Sequence, residues 1–204
     1  MKIAIIKYNA GNIQSVKFAF ERLGVHPIIT DDPEEIKSAD KVVFPGVGEA
    51  KSAMKHLKEN GLVDLIKGLK QPVLGVCIGL QLMCDYSEEG DTECMGIFPV
   101  QVRKFPKGVK FNDETLKIPH MGWNNMVFDA DFPLFKNLGE NPYVYYVHSF
   151  CADVNEEFTI ATTEYATKYT AALHRDNFYA VQFHPEKSGE VGQKILKNFV
   201  ELAE

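Results

Sequence analysis

Pro72-Val73-Leu74-Gly75-Val76-Cys77-Ile78-Gly79-Leu80-Gln81 is the stretch on which the reading of this chain turns. An apolar run leads into a glycine-flanked cysteine and then into a helix start. That pattern predicts a short buried strand, a tight turn and a helix, with Cys77 on the turn. Far downstream, a second apolar strand at 178–181 runs into Phe183-His184-Pro185-Glu186. A cysteine at one strand end, with a histidine and a carboxylate arriving from another, is the layout of a Cys-His-Glu nucleophilic site.

Outward from that turn, the first half alternates strand and helix. Strand 3–6 leads into the loop Tyr8-Asn9-Ala10-Gly11, and Ile13, Val16, Phe20 and Leu23 then mark one helix face that stops at Gly24. After strand 27–30, Asp32-Pro33-Glu34-Glu35 reads as an N-cap, a first-turn proline and a capping-box glutamate. Strand 42–44 runs into Pro45-Gly46-Val47-Gly48, and a helical stretch from 49 to 70 is broken at Asn60-Gly61. Such alternation implies a parallel sheet covered on both faces, with its site at the carboxyl ends of the strands. Residues 45–48 and 75–79 both fall at such ends and are expected to meet.

From Ile97 onward the pattern changes to short strands, at 100–105, 116–119, 143–150, 159–162, 169–174 and 178–183. Arg175-Asp176-Asn177 reads as a hairpin turn. The charged segment 85–93 reads as a loop, and Cys84 as part of one face of the helix after the elbow. A last helix over 189–203 places Val191, Ile195, Phe199 and Ala203 on one face. The expected fold is a single α/β domain over 1–204. Its central sheet is mixed and mostly parallel, with helices on both faces and an antiparallel extension in the C-terminal half.

Composition sets the bounds. A chain of 204 residues holds one well-buried core, and 45% hydrophobic with 25% charged residues is ordinary for a soluble domain. The net charge of -6 argues against nucleic acid as a partner. No segment reaches transmembrane length, and the N-terminal strand is too short an apolar run for a signal peptide. The four cysteines, Cys77, Cys84, Cys94 and Cys151, form no Cys-x-x-Cys pair and no disulfide framework, so a reducing cytoplasm is expected. No spacing reads as a metal site, and no cofactor is called for.

The chemistry follows from the residue types. A histidine beside a thiol favours the nucleophilic thiolate. The elbow exposes the sulfur and offers the Ile78 N–H to a developing oxyanion. His184 takes the thiol proton and later protonates a leaving amine, while Glu186 holds the imidazole in one orientation. Alone, Cys77 reads as one more buried cysteine. The conjunction of elbow, trailing Gln81, His-Pro-Glu and a glycine-rich loop at a third strand end favours acyl transfer through a thioester.

Gly75-Val76-Cys77-Ile78-Gly79-Leu80-Gln81 and His184-Pro185-Glu186 resemble the motifs of the class I (triad) glutamine amidotransferases. Lys117-Ile118-Pro119-His120-Met121-Gly122-Trp123-Asn124, Pro45–Gly48 and the segments around Asn12, Tyr145–Phe150 and Lys187-Ser188 resemble one branch of that family. Its members are glutaminase subunits that supply ammonia to a (β/α)8-barrel cyclase subunit in histidine biosynthesis. The resemblance spans essentially the whole chain. It departs from the usual pattern at Lys7, Asn9, Glu49-Ala50 and Phe150.

The resemblance implies that Cys77, His184 and Glu186 hydrolyse L-glutamine, with Ile78 and the Val47–Gly48 peptide as the oxyanion hole. It places Gly46, Gln81, Glu89, His148, Ser149 and Phe150 around the substrate. It places Asn12, Pro119, His120, Met121, Trp123, Tyr145 and Lys187 at a heterodimer interface with the cyclase. For Met121 and Trp123, core packing is the competing reading, and for Glu89 a solvated loop charge. The competing functions are a glutaminase for another class I synthase, a non-catalytic amino-acid-binding partner and a free-standing thiol hydrolase.

Overall fold

The computed structural model of the protein describes residues 1–8 and 11–202. The first half contains β1 (Ile3–Ile6), α1 (Ile13–Glu21), β2 (Ile28–Thr30), α2 (Pro33–Lys37), β3 (Lys41–Phe44), α3 (Ala50–Glu59), α4 (Leu62–Gly68), β4 (Val73–Val76) and α5 (Ile78–Met83). Short strands follow: β5 (Cys84–Ser87), β6 (Thr92–Glu93), β7 (Phe98–Lys104), β8 (Lys110–Phe111), β9 (Glu114–Thr115), β10 (His120–Asn125), β11 (Val127–Phe128), β12 (Tyr143–His148) and β13 (Phe150–Ala152). The chain closes with β14 (Thr159–Tyr165), β15 (Thr167–Arg175), β16 (Phe178–Val181) and α6 (Gly189–Glu201).

Eight strands form the central sheet in the order β11-β14-β15-β16-β4-β3-β1-β2. From β16 to β2 every pairing is parallel, and β11, β14 and β15 extend the sheet antiparallel. The expected mixed, mostly parallel sheet is present. The parallel strands β1, β3 and β4 are buried along their whole length, as strands covered on both faces must be. Their side chains alternate between two cores. Ala4, Ile6 and Phe44 pack with Leu57, Ile66 and Leu80 on one face. Ile3, Ile5, Val43 and Leu74 pack with Phe20, Ile195 and Phe199 on the other. A fully buried phenylalanine such as Phe20 or Phe199 contributes roughly 2–3 kcal/mol by leaving water.

The helix signals act as read except for the capping-box glutamate: the Asp32 N–H donates to Thr30 Oγ1 at 3.0 Å rather than to Glu35. Asp32 accepts from the N–H groups of Glu34 and Glu35 and caps α2, with Pro33 in its first turn. Asn60 and Gly61 separate α3 from α4, Gly61 at φ 66°. The turn at Asp176 joins β15 to β16, pairing Arg175 with Phe178.

Several expectations are corrected. Residues 116–119 are not a strand; the ladder with β12 begins at His120, and Pro119 has no N–H to give it. Residues 143–150 form two strands, parted at Ser149, because β12 pairs with β10 and β13 with β7. Segment 85–93 contains strands β5 and β6, which join β7 and β13 in a small four-stranded sheet. The charges of Asp85 and Glu93 sit on exposed positions of that sheet and mask the strand pattern. Cys84 accordingly opens β5, where burial pushes its thiol pKa up. Helix α1 ends at Glu21, short of Leu23. Asn9, Ala10 and Ala203 lie outside the described residues.

Candidate active site

Three parallel strands end side by side, and each brings one part of the site. β4 brings Cys77, β3 brings residues 45–48 and β16 brings residues 182–186. The Cys77 backbone is at φ 54° and ψ -107°, a conformation sparsely populated by non-glycine residues. Its N–H donates to Val181 O at 2.8 Å, tying the elbow to β16. Gly79 makes the turn possible: a Cβ there would sit 2.2 Å from the Phe44 carbonyl oxygen. The sulfur lines a cavity of about 160 Å³ together with Val47, Gly48, Ile78, Gln81, Glu89, Val147, His148, Ser149 and Phe150.

His184 comes to the Cys77 sulfur from the end of β16, behind the lining of the cavity rather than in it. Its N–H donates to Tyr145 O at 2.9 Å. Ser188 Oγ donates to His184 O at 2.6 Å and accepts from Tyr145 N at 2.9 Å, so the loop is clamped to β12. His184 Nδ1 and Glu186 Oε1 are 2.7 Å apart, both side chains 1% exposed. That contact puts the Nδ1 proton on the carboxylate side and aims Nε2 away from it. Nε2 is buried and has no partner of hydrogen-bond geometry among the described residues. Burial alone disfavours the imidazolium, but the Cys77 sulfur and then Glu186 outweigh it and push the His184 pKa up to about 10. The direction of that shift favours the imidazolium form of His184.

The other residues that the resemblance assigned to substrate divide into two groups. Glu89, half-buried, lines the cavity while its Oε2 accepts the Ala50 N–H at 2.8 Å, capping α3 from a distant loop. Burial raises its pKa. It is not a solvated loop charge. Gln81 also lines the cavity, but both of its amide hydrogens are engaged, on Phe150 O and on Gln182 Oε1, each at 2.9 Å. Only its carbonyl oxygen remains for a ligand. Ser149 and Phe150 line the wall. Gly46 is not among the lining residues. Its role is steric, since a Cβ would meet Tyr8 Oη at 2.1 Å and Ile78 Cγ2 at 2.2 Å.

His148 lines the cavity. Nδ1 is 2.7 Å from Phe150 O, which can only accept, so that nitrogen carries the proton. Burial pushes the His148 pKa down to about 3, and the buried Nε2 is left as a lone-pair acceptor.

The residues assigned to the interface do not all lie on one surface. Met121 is 62% and Trp123 54% exposed, which excludes core packing for both. Trp123 packs edge-on against Tyr145, and Lys187 Nζ lies 5.8 Å from the Tyr145 ring centre. Pro119 is exposed beside them. A larger hollow of about 520 Å³ opens along this face, lined by Phe111, Met121, Trp123 and Tyr165 among others. His120 is different: it is buried, stacked between Tyr165 and Tyr146, with Nδ1 3.2 Å from Tyr169 Oη. Alternation along β10 turns it inward between exposed neighbours. Asn12, at φ 66°, donates from Nδ2 to Glu186 Oε1 at 2.7 Å and so belongs to the triad's surroundings.

Sequence reasoning missed Gln182, whose Nε2 lies 3.7 Å from Cys77 Sγ. The available signal was a polar residue between Val181 and Phe183 in an apolar run.

Fold and site define a class I glutamine amidotransferase, and the chain belongs to that family: the model described as "Glutamine amidotransferase class-I" matches residues 5–203. Within the family it groups with proteins named imidazole glycerol phosphate synthase subunit HisH. The protein of that name from Bacteroides fragilis is 55% identical over 203 residues, covering 99% of this chain and 100% of the relative. Those from Bacteroides thetaiotaomicron and Pasteurella multocida are 54% and 47% identical, over 99% and 98% of this chain and 100% and 97% of the relatives. Among solved structures, one glutamine amidotransferase superposes with a TM-score of 0.72 at 16% identity, covering 98% of this chain and 97% of that one. A second, from Thermotoga maritima, gives 0.62 at 17% identity, over 98% and 83%. At such identities these two show the shared fold. No helix among the described residues is long and apolar enough to cross a membrane.

Proposed function

We propose that this chain is the glutaminase subunit of imidazole glycerol phosphate synthase. It hydrolyses L-glutamine to glutamate and ammonia in the cytoplasm and passes the ammonia to a (β/α)8-barrel cyclase subunit bound as a heterodimer. There the ammonia serves the formation of imidazole glycerol phosphate and aminoimidazole carboxamide ribotide. The observation that carries the chemical part is the strained elbow of Cys77 beside a buried His184–Glu186 pair, at the wall of a cavity of about 160 Å³. The identity of the relatives over nearly the whole chain supports the partner.

In this reading the Cys77 thiolate adds to the side-chain carboxamide carbon of glutamine. Charge on the carbonyl oxygen is met by the Ile78 N–H and by the Val47–Gly48 peptide. The C–N bond then breaks as the His184 imidazolium gives its proton to the departing amide nitrogen, releasing ammonia and leaving a γ-glutamyl thioester. Neutral His184 next takes a proton from water, whose oxygen attacks the thioester, and glutamate leaves as the sulfur recovers its electron pair. Glu186 holds the imidazole and steadies its charge throughout. Glu89 offers a carboxylate to the substrate ammonium group. The exposed Met121, Trp123 and Tyr145–Lys187 cluster forms the contact with the cyclase, together with Pro119.

The test is glutamate release by the purified chain, alone and with the cyclase and its nucleotide ligand. A low rate alone and a large rise with both is expected. Equal rates in every condition would keep the thiol chemistry and discard the partner. An ammonia-forming activity directed to a different synthase would discard the pathway.

A further inference from the structure

Two side-chain amides in a row connect a backbone carbonyl to the nucleophile. Phe150 O accepts from Gln81 Nε2 at 2.9 Å. The same nitrogen donates to Gln182 Oε1 at 2.9 Å. Gln182 Nε2 then points at Cys77 Sγ, 3.7 Å away. Gln182 is wholly buried and Gln81 nearly so.

The orientation of each amide in this row follows from its neighbour. A backbone carbonyl accepts and never donates, so the Gln81 atom facing Phe150 O has to be nitrogen. That nitrogen's second hydrogen then requires an acceptor from Gln182, which turns Oε1 toward Gln81. The remaining end of Gln182, its NH2, is the end presented to the sulfur. Flipping either amide would set donor against donor or acceptor against acceptor in a buried place, which is costly.

We propose that Gln182 is a further catalytic residue of this site, a neutral hydrogen-bond donor that holds the Cys77 sulfur in its thiolate form and fixes its direction. Gln81 acts through it as a positioning residue. The donor and the base share one strand end: Gln182 N donates to Ala171 O at 2.8 Å, and His184 follows two residues on. The two groups therefore approach the sulfur from one rigid segment. His184 supplies the charge and the moving proton, whereas Gln182 supplies a donor that never leaves. As the thioester forms, the sulfur loses its negative charge and this hydrogen bond weakens. It strengthens again when the thiolate is expelled, so it assists deacylation. The proposal rests on the reading of Cys77 as the nucleophile.

The experiment is alkylation of Cys77 by iodoacetamide as a function of pH. The modified residue is identified by peptide mass spectrometry, because Cys84, Cys94 and Cys151 are also free thiols. Gln182→Met removes the donor. Gln182→Glu keeps the shape and turns a carboxyl oxygen toward the sulfur. Gln81→Met leaves Gln182 in place but frees it to rotate. The expected result is a midpoint for alkylation raised by about one pH unit in Gln182→Met, a tenfold loss of reactive thiolate near neutrality. The rise should be larger in Gln182→Glu and smaller in Gln81→Met, with thermal unfolding cooperative in each. An unchanged midpoint in the folded Gln182→Glu variant overturns the proposal. Should neither Gln182 variant fold, Gln81→Met decides by the same criterion. Alkylation requires neither glutamine nor cyclase. Expected shifts in a chain that never releases glutamate would sink the glutaminase reading alone, and unchanged midpoints in an active glutaminase would sink this proposal alone.

Discussion

Asn12 and Glu186 are 174 residues apart in the chain, yet Asn12 Nδ2 donates to Glu186 Oε1 at 2.7 Å, the same oxygen that holds His184 Nδ1 at 2.7 Å. One carboxylate oxygen carries both bonds, while Oε2 is buried without a partner among the described residues. Asn12 adopts a left-handed conformation at the start of α1, which asparagine tolerates better than most residues. Asn12→Ala should therefore loosen the carboxylate that orients His184 while leaving the substrate cavity intact. Expected is a fall of roughly tenfold in kcat for glutamine hydrolysis, about 1.4 kcal/mol in the barrier, with KM within about twofold of the parent. Steady-state glutaminase kinetics of the complex with the cyclase check it; a change confined to KM would assign Asn12 to substrate binding instead.

The raised pKa of His184 has the Cys77 sulfur as its largest favourable cause. A base whose folded pKa is raised stabilises the fold fully below its unfolded value near 6.5, and loses that contribution as pH climbs through about 10. Cys77→Ala should lower the imidazole pKa below the parent value and flatten the alkaline loss of stability. It should also abolish glutamine-dependent synthesis by the complex while ammonia-dependent synthesis continues. Imidazole titration by NMR reads the first effect. A His184 pKa unmoved by the substitution would place the whole shift on Glu186.

What was legible in the sequence, and what was not, divides by the range of the interaction. The Cys77 elbow, the Asp32 cap and the Asn60–Gly61 break depend on residues a few positions apart, and they stand in the fold as read. The bond from Asn12 to Glu186 and those from Gln81 to Phe150 and Gln182 depend on which distant segments become neighbours. No local pattern announces that Asn12, 174 residues from Glu186, converges on the site. Strands β5 and β6 escaped because exposed charges overlay their alternation. The inward turn of His120 was hidden for the opposite reason: its neighbours Met121 and Trp123 are exposed, and a family resemblance assigns the segment as a whole.

Trp123 is half-exposed and rests edge-on against Tyr145, so truncating it removes little from the interior. Trp123→Ala should change the stability of the isolated chain by no more than about 1 kcal/mol. As a central aromatic anchor it should cost at least about 2 kcal/mol of binding to the cyclase, near 30-fold in Kd. Urea unfolding and calorimetric titration with the cyclase measure the two quantities on the same preparation. A loss of stability larger than the loss of binding would return Trp123 to a packing role.

His120 and His148 are buried neutral, with pKa values pushed down to about 4 and about 3 by desolvation. Their unfolded values lie near 6.5, so between those limits the unfolded chain binds protons that the folded one refuses. The sign is a loss of stability as pH falls below about 6.5. Each histidine contributes a slope of about 1.4 kcal/mol per pH unit until its folded pKa is reached. The charged Glu164, the nearest acidic residue on the strand that carries Tyr165, lies on the exposed side of that strand, and the groups packed against His120 are the rings of Phe105, Tyr146, Tyr165 and Tyr169 and the imidazole of His148, 5.4 Å away, where a charge on one imidazole opposes a charge on the other. Nothing there relieves the charge of an imidazolium. His120→Phe keeps a ring between Tyr146 and Tyr165, removes one titrating group and leaves Tyr169 Oη its contact with Tyr146. The slope of unfolding free energy against pH between 6 and 4 should fall by about one proton, and the acid midpoint should move lower. Urea titrations at stepped pH read that slope, and an unchanged value would mean that His120 is protonated within the fold.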